Sequence, residues 1–342
     1  MELELQDPTD IGDLGIFHLG RLWSRCLRDR HGRSNGDALA NEWALDNVIF
    51  HGLNLPIEET IQYLYQTVPS FPDFERWVLE RNGGVVHKNI KDRINAAILG
   101  LISSENPNEP AGKQFPNILD ENDLAFWNTN GYSLVSGVYS DEEIRAAVSA
   151  VWEYLKMDPD DRESWYTRPR DHGIMVQLFH HPALEALRHS SNLKSVFAQI
   201  WKTGDLWIST DRVSFNPPER PGHEFPGPRL HWDVSLQLPI PFGVQGLVYL
   251  TDTEPEQGAF TCVPGFHTRI ESWLKSLPAG ADPRDQPIAE LGAKPIPGKA
   301  GDVVVWHQAL PHGSRPNRCS RPRIVQYVTM FPADAEHAES WK

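Results

Sequence analysis

An imidazole and a carboxylate stand two residues apart at His231 and Asp233, inside the run Leu230-His-Trp-Asp-Val-Ser-Leu-Gln-Leu. If that run is a strand, its period of two puts His231, Asp233, Ser235 and Gln237 on one face and Leu230, Trp232, Val234 and Leu236 on the other. A histidine and an aspartate that project in parallel can reach one ion. A third ligand must then come from elsewhere, and His312, just beyond the apolar run 303–306, is the best candidate. Two imidazoles and one carboxylate on one face of an octahedron make the facial triad of non-haem Fe(II) oxygenases, which keeps three positions open. A chelating cosubstrate can fill two of them and dioxygen the third. His-x-Asp alone is a weak signal, because a solvated strand of alternating polarity produces it often.

The stretch after His312 strengthens it: His312-Gly-Ser314-Arg-Pro-Asn317-Arg-Cys-Ser320-Arg-Pro-Arg323. Arg323 opens a predicted strand and shares a face with Val325 and Tyr327, which aims its guanidinium at a barrel interior. A buried guanidinium needs an anion. The distal carboxylate of 2-oxoglutarate, chelating iron through its other end, would supply one, with the Ser314 hydroxyl as a second donor. Gln237 and Tyr327 stand on inward faces and are candidates to line the same pocket.

Together these residues resemble the phytanoyl-CoA dioxygenase-like family of Fe(II)/2-oxoglutarate oxygenases. The match begins with His231-x-Asp233. It continues with Gly258-Ala-Phe-Thr-Cys-Val-Pro264-Gly265-Phe-His267, similar to the family's Gly-x-x-x-x-x-Pro-Gly-Ser-His hairpin, and with Gly301-Asp302 ahead of the penultimate strand. His312-x-Ser314-x-x-Asn317 and an arginine eleven residues after the distal histidine complete it, over residues 120–332. The resemblance implies a double-stranded β-helix (jelly roll, cupin-like) with flanking helices. It implies that His231, Asp233 and His312 hold Fe(II), that Arg323 with Ser314 binds the 2-oxoglutarate carboxylate, and that Asn317 shapes the turn between them. No catalytic side chain beyond the metal ligands is implied. The expected reaction consumes O2, decarboxylates 2-oxoglutarate to succinate and abstracts a substrate hydrogen, with most of the chemistry belonging to the cofactor. Related halogenases leave the Asp233 position to a small residue so that chloride can bind. A carboxylate there favours hydroxylation, although desaturation or ring closure can follow the same abstraction. Two features depart from the family pattern: Phe266 stands where Ser is frequent, and the helical extension has no counterpart in smaller members.

Other polar groups have simpler readings. His267 reads as a turn histidine bonding backbone, His307 as a strand-end structural residue, and His180-His181 before Pro182 as a helix flank. Trp232 and Trp306 read as core, with the option of walling the cosubstrate pocket. Segment 167–177 precedes the barrel and is expected to reach over its mouth, so Arg168, Arg170 and Gln177 are candidate substrate contacts, with Trp232 as a further candidate. A solvated loop is the simpler reading of the two arginines.

Elements must position these groups. The first 115 residues read as helical over 38–50, 57–65, 71–81 and 89–103, with Asn82-Gly83-Gly84 as a helix stop. Residues 104–116, rich in turn formers, read as a linker, which divides the chain into a helical N-terminal extension (1–115) and an oxygenase domain (116–342). A helix over 120–127 and a short strand at 131–135 come next. Ser140 with Glu143 then forms a capping box for a helix to about 157, and one helix is predicted over 182–201. From 206 on, short β-rich runs follow at 206–215, 230–238, 246–251, 260–263, 302–306 and 323–331, interrupted by a helix over 270–277. Such texture predicts a sandwich or barrel, so the fold class is mainly β with flanking helices.

Composition sets the outer limits. With 40% hydrophobic residues the chain can build a sizeable core, and a net charge of −14 is the wrong sign for nucleic acid, anionic membranes or coenzyme A phosphates. The acidic opening MELELQDPTD and the shortness of the apolar windows lead to the expectation of a soluble, cytoplasmic protein. Cys26, Cys262 and Cys319 form no paired pattern and read as reduced packing residues. The reading is an Fe(II)/2-oxoglutarate dioxygenase acting on a small molecule, with specialised metabolism as the expected setting and no nucleic-acid or membrane partner. The amphipathic extension permits three roles: covering the active site, pairing two copies into a homodimer, or packing on the barrel. The rivals are a non-catalytic barrel serving as a scaffold and a cupin-like metalloenzyme that does not use 2-oxoglutarate. Arg323 separates the latter from the main reading.

Overall fold

A computed structural model describes residues 4–30, 42–103, 116–168 and 172–336. The chain divides into two compact units, one of Met1–Lys113 with Asp205–Thr210 and Phe331–Ser340, the other of Gln114–Gly204 and Asp211–Met330. The first therefore takes in two short segments from beyond residue 115.

That unit contains α1 (Leu19–Asp29), α2 (Trp43–Gly52), α3 (Ile57–Thr67), α4 (Phe71–Arg81) and α5 (Lys88–Ser103). Helix α4 starts where Ser70 accepts the Asp73 N–H, and it gives way to Gly83 and Gly84 at positive φ. The sequence reading missed α1. Its N-cap is His18 in the left-handed region with no side-chain cap bond, so it carries none of the usual start signals. Residues 38–41 and 104–115 of the expected first helix and linker lie outside the described residues. Leu19, Leu22, Val48, Ile49, Phe74 and Ile98 fill the core of this unit, closed by Trp207.

From residue 116 on, the order is α6 (Glu121–Asn130), β1 (Tyr132–Val135), α7 (Asp141–Leu155), β2 (Met175–Val176), α8 (Pro182–Arg188), α9 (Ser191–Trp201), β3 (Trp207–Ile208), β4 (Val213–Asn216) and β5 (Val244–Tyr249). Then come β6 (Phe260–Cys262), α10 (Ile270–Ser276), β7 (Lys294–Ile296), β8 (Val303–His307), β9 (His312–Gly313), β10 (Arg323–Val328) and β11 (Met330–Phe331). The capping box of Ser140 and Glu143 is present at α7. The single helix expected over 182–201 is two, because Ser190 caps α9 afresh by accepting the Leu193 N–H. The run 206–215 likewise splits into β3 and β4. The run 230–238 is no strand: it makes a single bridge, His231 to His312, and then bends away.

Two antiparallel sheets form the barrel, one in the order β1-β8-β5-β10-β4-β2 and one in the order β7-β6-β9. From β5 to β10 the chain passes between them, which is the winding of a double-stranded β-helix. Leu247, Tyr249, Val304 and Val325 from the larger sheet meet Phe260, Cys262 and Ile296 from the smaller one. The outer face of the larger sheet is covered by helices: Phe197 of α9 lies over Gly246, where an added Cβ would stand 3.1 Å from its ring. Gln326, on that outer face, donates to Leu184 O of α8.

His18 and Asp46 are fully buried in the helical unit, 2.9 Å apart, and Arg25 donates to the other Asp46 oxygen. Burial holds the His18 ring down to about 4. The folded unit refuses a proton that the unfolded chain accepts below about pH 6.5, so this stabilisation is complete above that pH and is lost as pH falls through 4. On that shift, moving from pH 7 to pH 5 costs about 2 kcal/mol. Urea unfolding at the two pH values checks it: His18→Gln, whose amide can take the place of Nε2, is expected to flatten the pH slope by about that amount. An unchanged slope refutes the assignment.

Candidate active site

Strand β9 pairs with β6 on one side, Cys262 lying opposite His312. On its other side His312 exchanges both backbone hydrogen bonds with His231, each of 2.9 Å. Residues paired in this way project to the same side, so the two imidazoles stand together with ring centroids 4.8 Å apart. Asp233, two residues on, places Oδ1 3.2 Å from His231 Nε2 and Oδ2 3.1 Å from His312 Nε2. The three ligand atoms lie within 4.8 Å of one another. The parallel projection expected of a strand is thus delivered by one bridge. It extends no further, and Ser235 and Gln237 follow a different path, with Ser235 Oγ accepting the Gln237 N–H.

Gly313 makes the close approach possible. A Cβ there would sit 2.4 Å from Arg229 O, and that same carbonyl accepts from His231 Nδ1 at 2.6 Å. His312 Nδ1 has a matching partner in Leu310 O at 3.0 Å. A carbonyl only accepts, so both rings carry their proton on Nδ1 and turn the Nε2 lone pair inward. Two lone pairs and a carboxylate therefore face one another, an arrangement that requires a cation among them or extra protons on the rings. Burial opposes ionisation of Asp233, but the two imidazoles set against its oxygens outweigh that effect and hold the carboxyl well below the usual range. Burial likewise pulls the His231 ring down, and the carboxylate beside it more than restores it. The N, N, O donor set suits a divalent iron. His312 is buried while the Asp233 side chain is 50% exposed, so the site opens to solvent on the aspartate side.

Arg323 is 0% exposed. It faces inward with Val325, as its position predicted, and Nη1 donates to Ser214 Oγ on β4 at 3.3 Å. Its Nε has no hydrogen-bond partner, and among the described residues no carboxylate pairs with it. A desolvated cation with an unused N–H calls for an anion, and the distal carboxylate of 2-oxoglutarate matches the fork. Tyr249 lines the same interior. Burial pushes its hydroxyl up to about 12 although the Arg323 cation pulls it down, so it stays a donor, to Ile296 O. Ser314 is buried two residues past His312, its N–H on Pro228 O. Asn317 ties the following turn through Asn216 O and Arg321 O.

The remaining candidates are scattered. Tyr327 shares the inward face of β10 with Arg323 and packs half-buried beside the core, whereas Gln237 sits in the loop beyond the triad. Trp232 is 3% exposed, with its indole N–H committed to Ala309 O and its ring between Phe266 and Trp273, which leaves nothing to offer a substrate. Phe266 is itself wholly buried in this core, which accounts for its place in the hairpin. Arg168 donates to Met175 O, Gln177 is half-buried with its carbonyl bonded by Tyr154, and Arg170 lies outside the described residues. His267, His307 and His181 bond Asn128 O, the Ala309 N–H and the Ala183 N–H, as structural histidines do. Sequence reasoning missed Ser214, Tyr249 and Gln245. Gln245 donates to Asp233 Oδ2 at 3.0 Å, and its only sequence signal is a polar residue on the inward parity of the apolar strand β5.

Comparisons with known proteins give one relationship. Residues 127–325 match the family model described as phytanoyl-CoA dioxygenase (PhyH). A putative phytanoyl-CoA dioxygenase of Dictyostelium discoideum is 22% identical over 262 residues, covering 62% of this chain and 75% of that one. The ectoine dioxygenase of Bordetella bronchiseptica is 24% identical over 260 residues, covering 67% and 80%. Among solved structures, the non-haem α-ketoglutarate-dependent carbocyclase SnoK from nogalamycin biosynthesis superposes with a TM-score of 0.46 at 19% identity, covering 67% of this chain and 90% of that one. HygX from Streptomyces hygroscopicus, with nickel and 2-oxoglutarate bound, gives 0.44 at 19% identity, covering 63% and 87%. The family model spans more than half of the chain, and the chain belongs to the phytanoyl-CoA dioxygenase (PhyH) family of Fe(II)- and 2-oxoglutarate-dependent dioxygenases.

Proposed function

We propose that His231, Asp233 and His312 hold the iron of this dioxygenase, that Arg323 with Ser314 grips the distal carboxylate of 2-oxoglutarate, and that the product is a hydroxylated small molecule. The observation that carries this reading is the inward convergence of two Nε2 lone pairs and a carboxylate, with both tautomers fixed by backbone carbonyls. Iron with bound 2-oxoglutarate supplies the oxidising power when dioxygen is consumed. The protein's own residues do the positioning. Arg323 neutralises and orients the far end of the cosubstrate, with Tyr327 four residues further along the same inward face of the strand. The Trp306 ring, 5.0 Å from His312, and Phe260 pack against the buried ligand and keep water from that side. Asp233 occupies the position that a halide would need. The exposed flank at Asp233 is where substrate approaches, with Arg168 and Gln177 as the candidate contacts. The acidic balance favours a small molecule over a nucleic acid, and among the described residues no helix is long and apolar enough to cross a membrane.

Anaerobic addition of Fe(II) and then 2-oxoglutarate is expected to produce the weak visible metal-to-ligand charge-transfer band of the chelate. The band should vanish in folded His231→Ala and Asp233→Ala proteins. Iron-loaded protein that shows no band and no affinity for 2-oxoglutarate ends this reading. Arg323→Ala should raise the 2-oxoglutarate KM about a hundredfold, as loss of a charge-assisted pair requires, while iron affinity stays near wild type. Activity indifferent to Arg323 would instead favour the metalloenzyme that does not use 2-oxoglutarate. Gly313→Ala drives Arg229 O away from His231 Nδ1, and a fall in Fe(II) affinity of about tenfold or more is expected in direct titration. Wild-type affinity in that variant would show that the close approach is dispensable.

A further inference from the structure

Gln245 and Trp306 stand directly opposite each other on β5 and β8, and both point into the barrel. The indole Nε1–H of Trp306 donates to Gln245 Oε1 at 3.0 Å. An indole nitrogen can only donate, so the orientation of the Gln245 amide is settled: its oxygen faces the indole and its NH2 faces Asp233 Oδ2, 3.0 Å away. Trp306 is 3% exposed and locked between Phe260 and His312, so the amide is anchored to a rigid group. Each carboxylate oxygen has one imidazole beside it, Oδ1 that of His231 and Oδ2 that of His312; among the described residues it is Oδ2 that also carries the amide donor.

We infer that Gln245, held by Trp306, is a positioning residue that reserves Oδ2 of Asp233 and leaves Oδ1 as the single oxygen offered to the metal. The inference rests on the iron reading above. Its consequence is stoichiometric: a carboxylate that chelated through both oxygens would take one of the three positions needed by 2-oxoglutarate and dioxygen. The amide donor prevents that. It also fixes a half-exposed side chain that no strand ladder holds.

The test uses the full chain, loaded anaerobically with Co(II) in place of iron, and reads affinity together with the visible d–d bands. Gln245→Met keeps the length and loses both polar ends; Gln245→Asn keeps the amide but is a methylene too short to span indole and carboxylate. Both are expected to bind Co(II) about ten- to a hundredfold more weakly, with shifted bands as the freed carboxylate changes its mode of ligation. Circular dichroism of each metal-free variant establishes that it is folded, and either folded variant is sufficient. Wild-type affinity and an unshifted spectrum in a folded variant overturn the proposal while leaving the metal centre intact. Absence of Co(II) binding in the wild-type protein overturns the metal reading itself, and Gln245 with it.

Discussion

Everything at this site depends on one backbone pairing, the double hydrogen bond between His231 and His312. Both residues use their main chain to hold each other and their Nδ1–H to hold the carbonyl two residues before. No freedom of tautomer or register is left, and what remains is a pair of lone pairs aimed at a carboxylate. Like-facing acceptors repel, so the pairing stores a demand that a cation meets. The rest of the barrel exists, physically, to keep that demand from being relieved by movement.

The two sheets divide this work. The larger sheet is buried on both faces, by the interior core and by α8 and α9, and its strands supply the rigid anchors Trp306, Tyr249 and Arg323. The smaller sheet supplies His312 from a strand of two residues and borrows His231 through an isolated bridge. The proposed ligands thus sit on sparsely bonded backbone, and their precision comes from contacts to the heavier sheet. Arg323 shows the cost of such a design. A guanidinium sealed from water with an unused N–H is destabilising until an anion arrives, so on the proposed reading the cosubstrate's carboxylate relieves the strain that the buried cation carries.

Most of the chemistry was legible in the sequence because it is carried by residue types at fixed spacing. His231-x-Asp233, His312 and the inward parity of Arg323 come straight from the order of residues. Helices α3, α4 and α5 were legible in the sequence, the end of α4 from the Asn82-Gly83-Gly84 stop, whereas the Ser70 cap at its start emerges only in the structure. What was not legible has identifiable causes. Helix α1 starts on His18 without a capping oxygen, and one helix became two because Ser190, an ordinary polar residue in the pattern, takes on a cap. The polar and apolar alternation of 230–238 reads as a strand, yet the segment bends after Asp233, so the parallel projection of His231 and Asp233 rests on a period that holds for only three residues. Trp232, read as core from the same alternation, is core: its side chain points away from the ligand pair, and the alternative of a substrate contact finds no support in its packing. Gln245 meets Asp233 and Ser214 meets Arg323 only through the tertiary arrangement of the strands, which no local pattern encodes.

That last distinction separates two kinds of information. Ligand identity is local, since a metal needs particular atoms and the chain must bring them within a few residues of a pairing site. Ligand orientation is tertiary. Asp233 is half exposed, belongs to no ladder, and would rotate freely about χ1 and χ2 if only its own segment constrained it. Its orientation is set from across the barrel, by an amide whose own orientation is set by a buried indole. An enzyme that must keep coordination positions vacant needs such a constraint more than one that fills its metal completely, because a vacancy is stable only if every neighbouring donor is otherwise engaged.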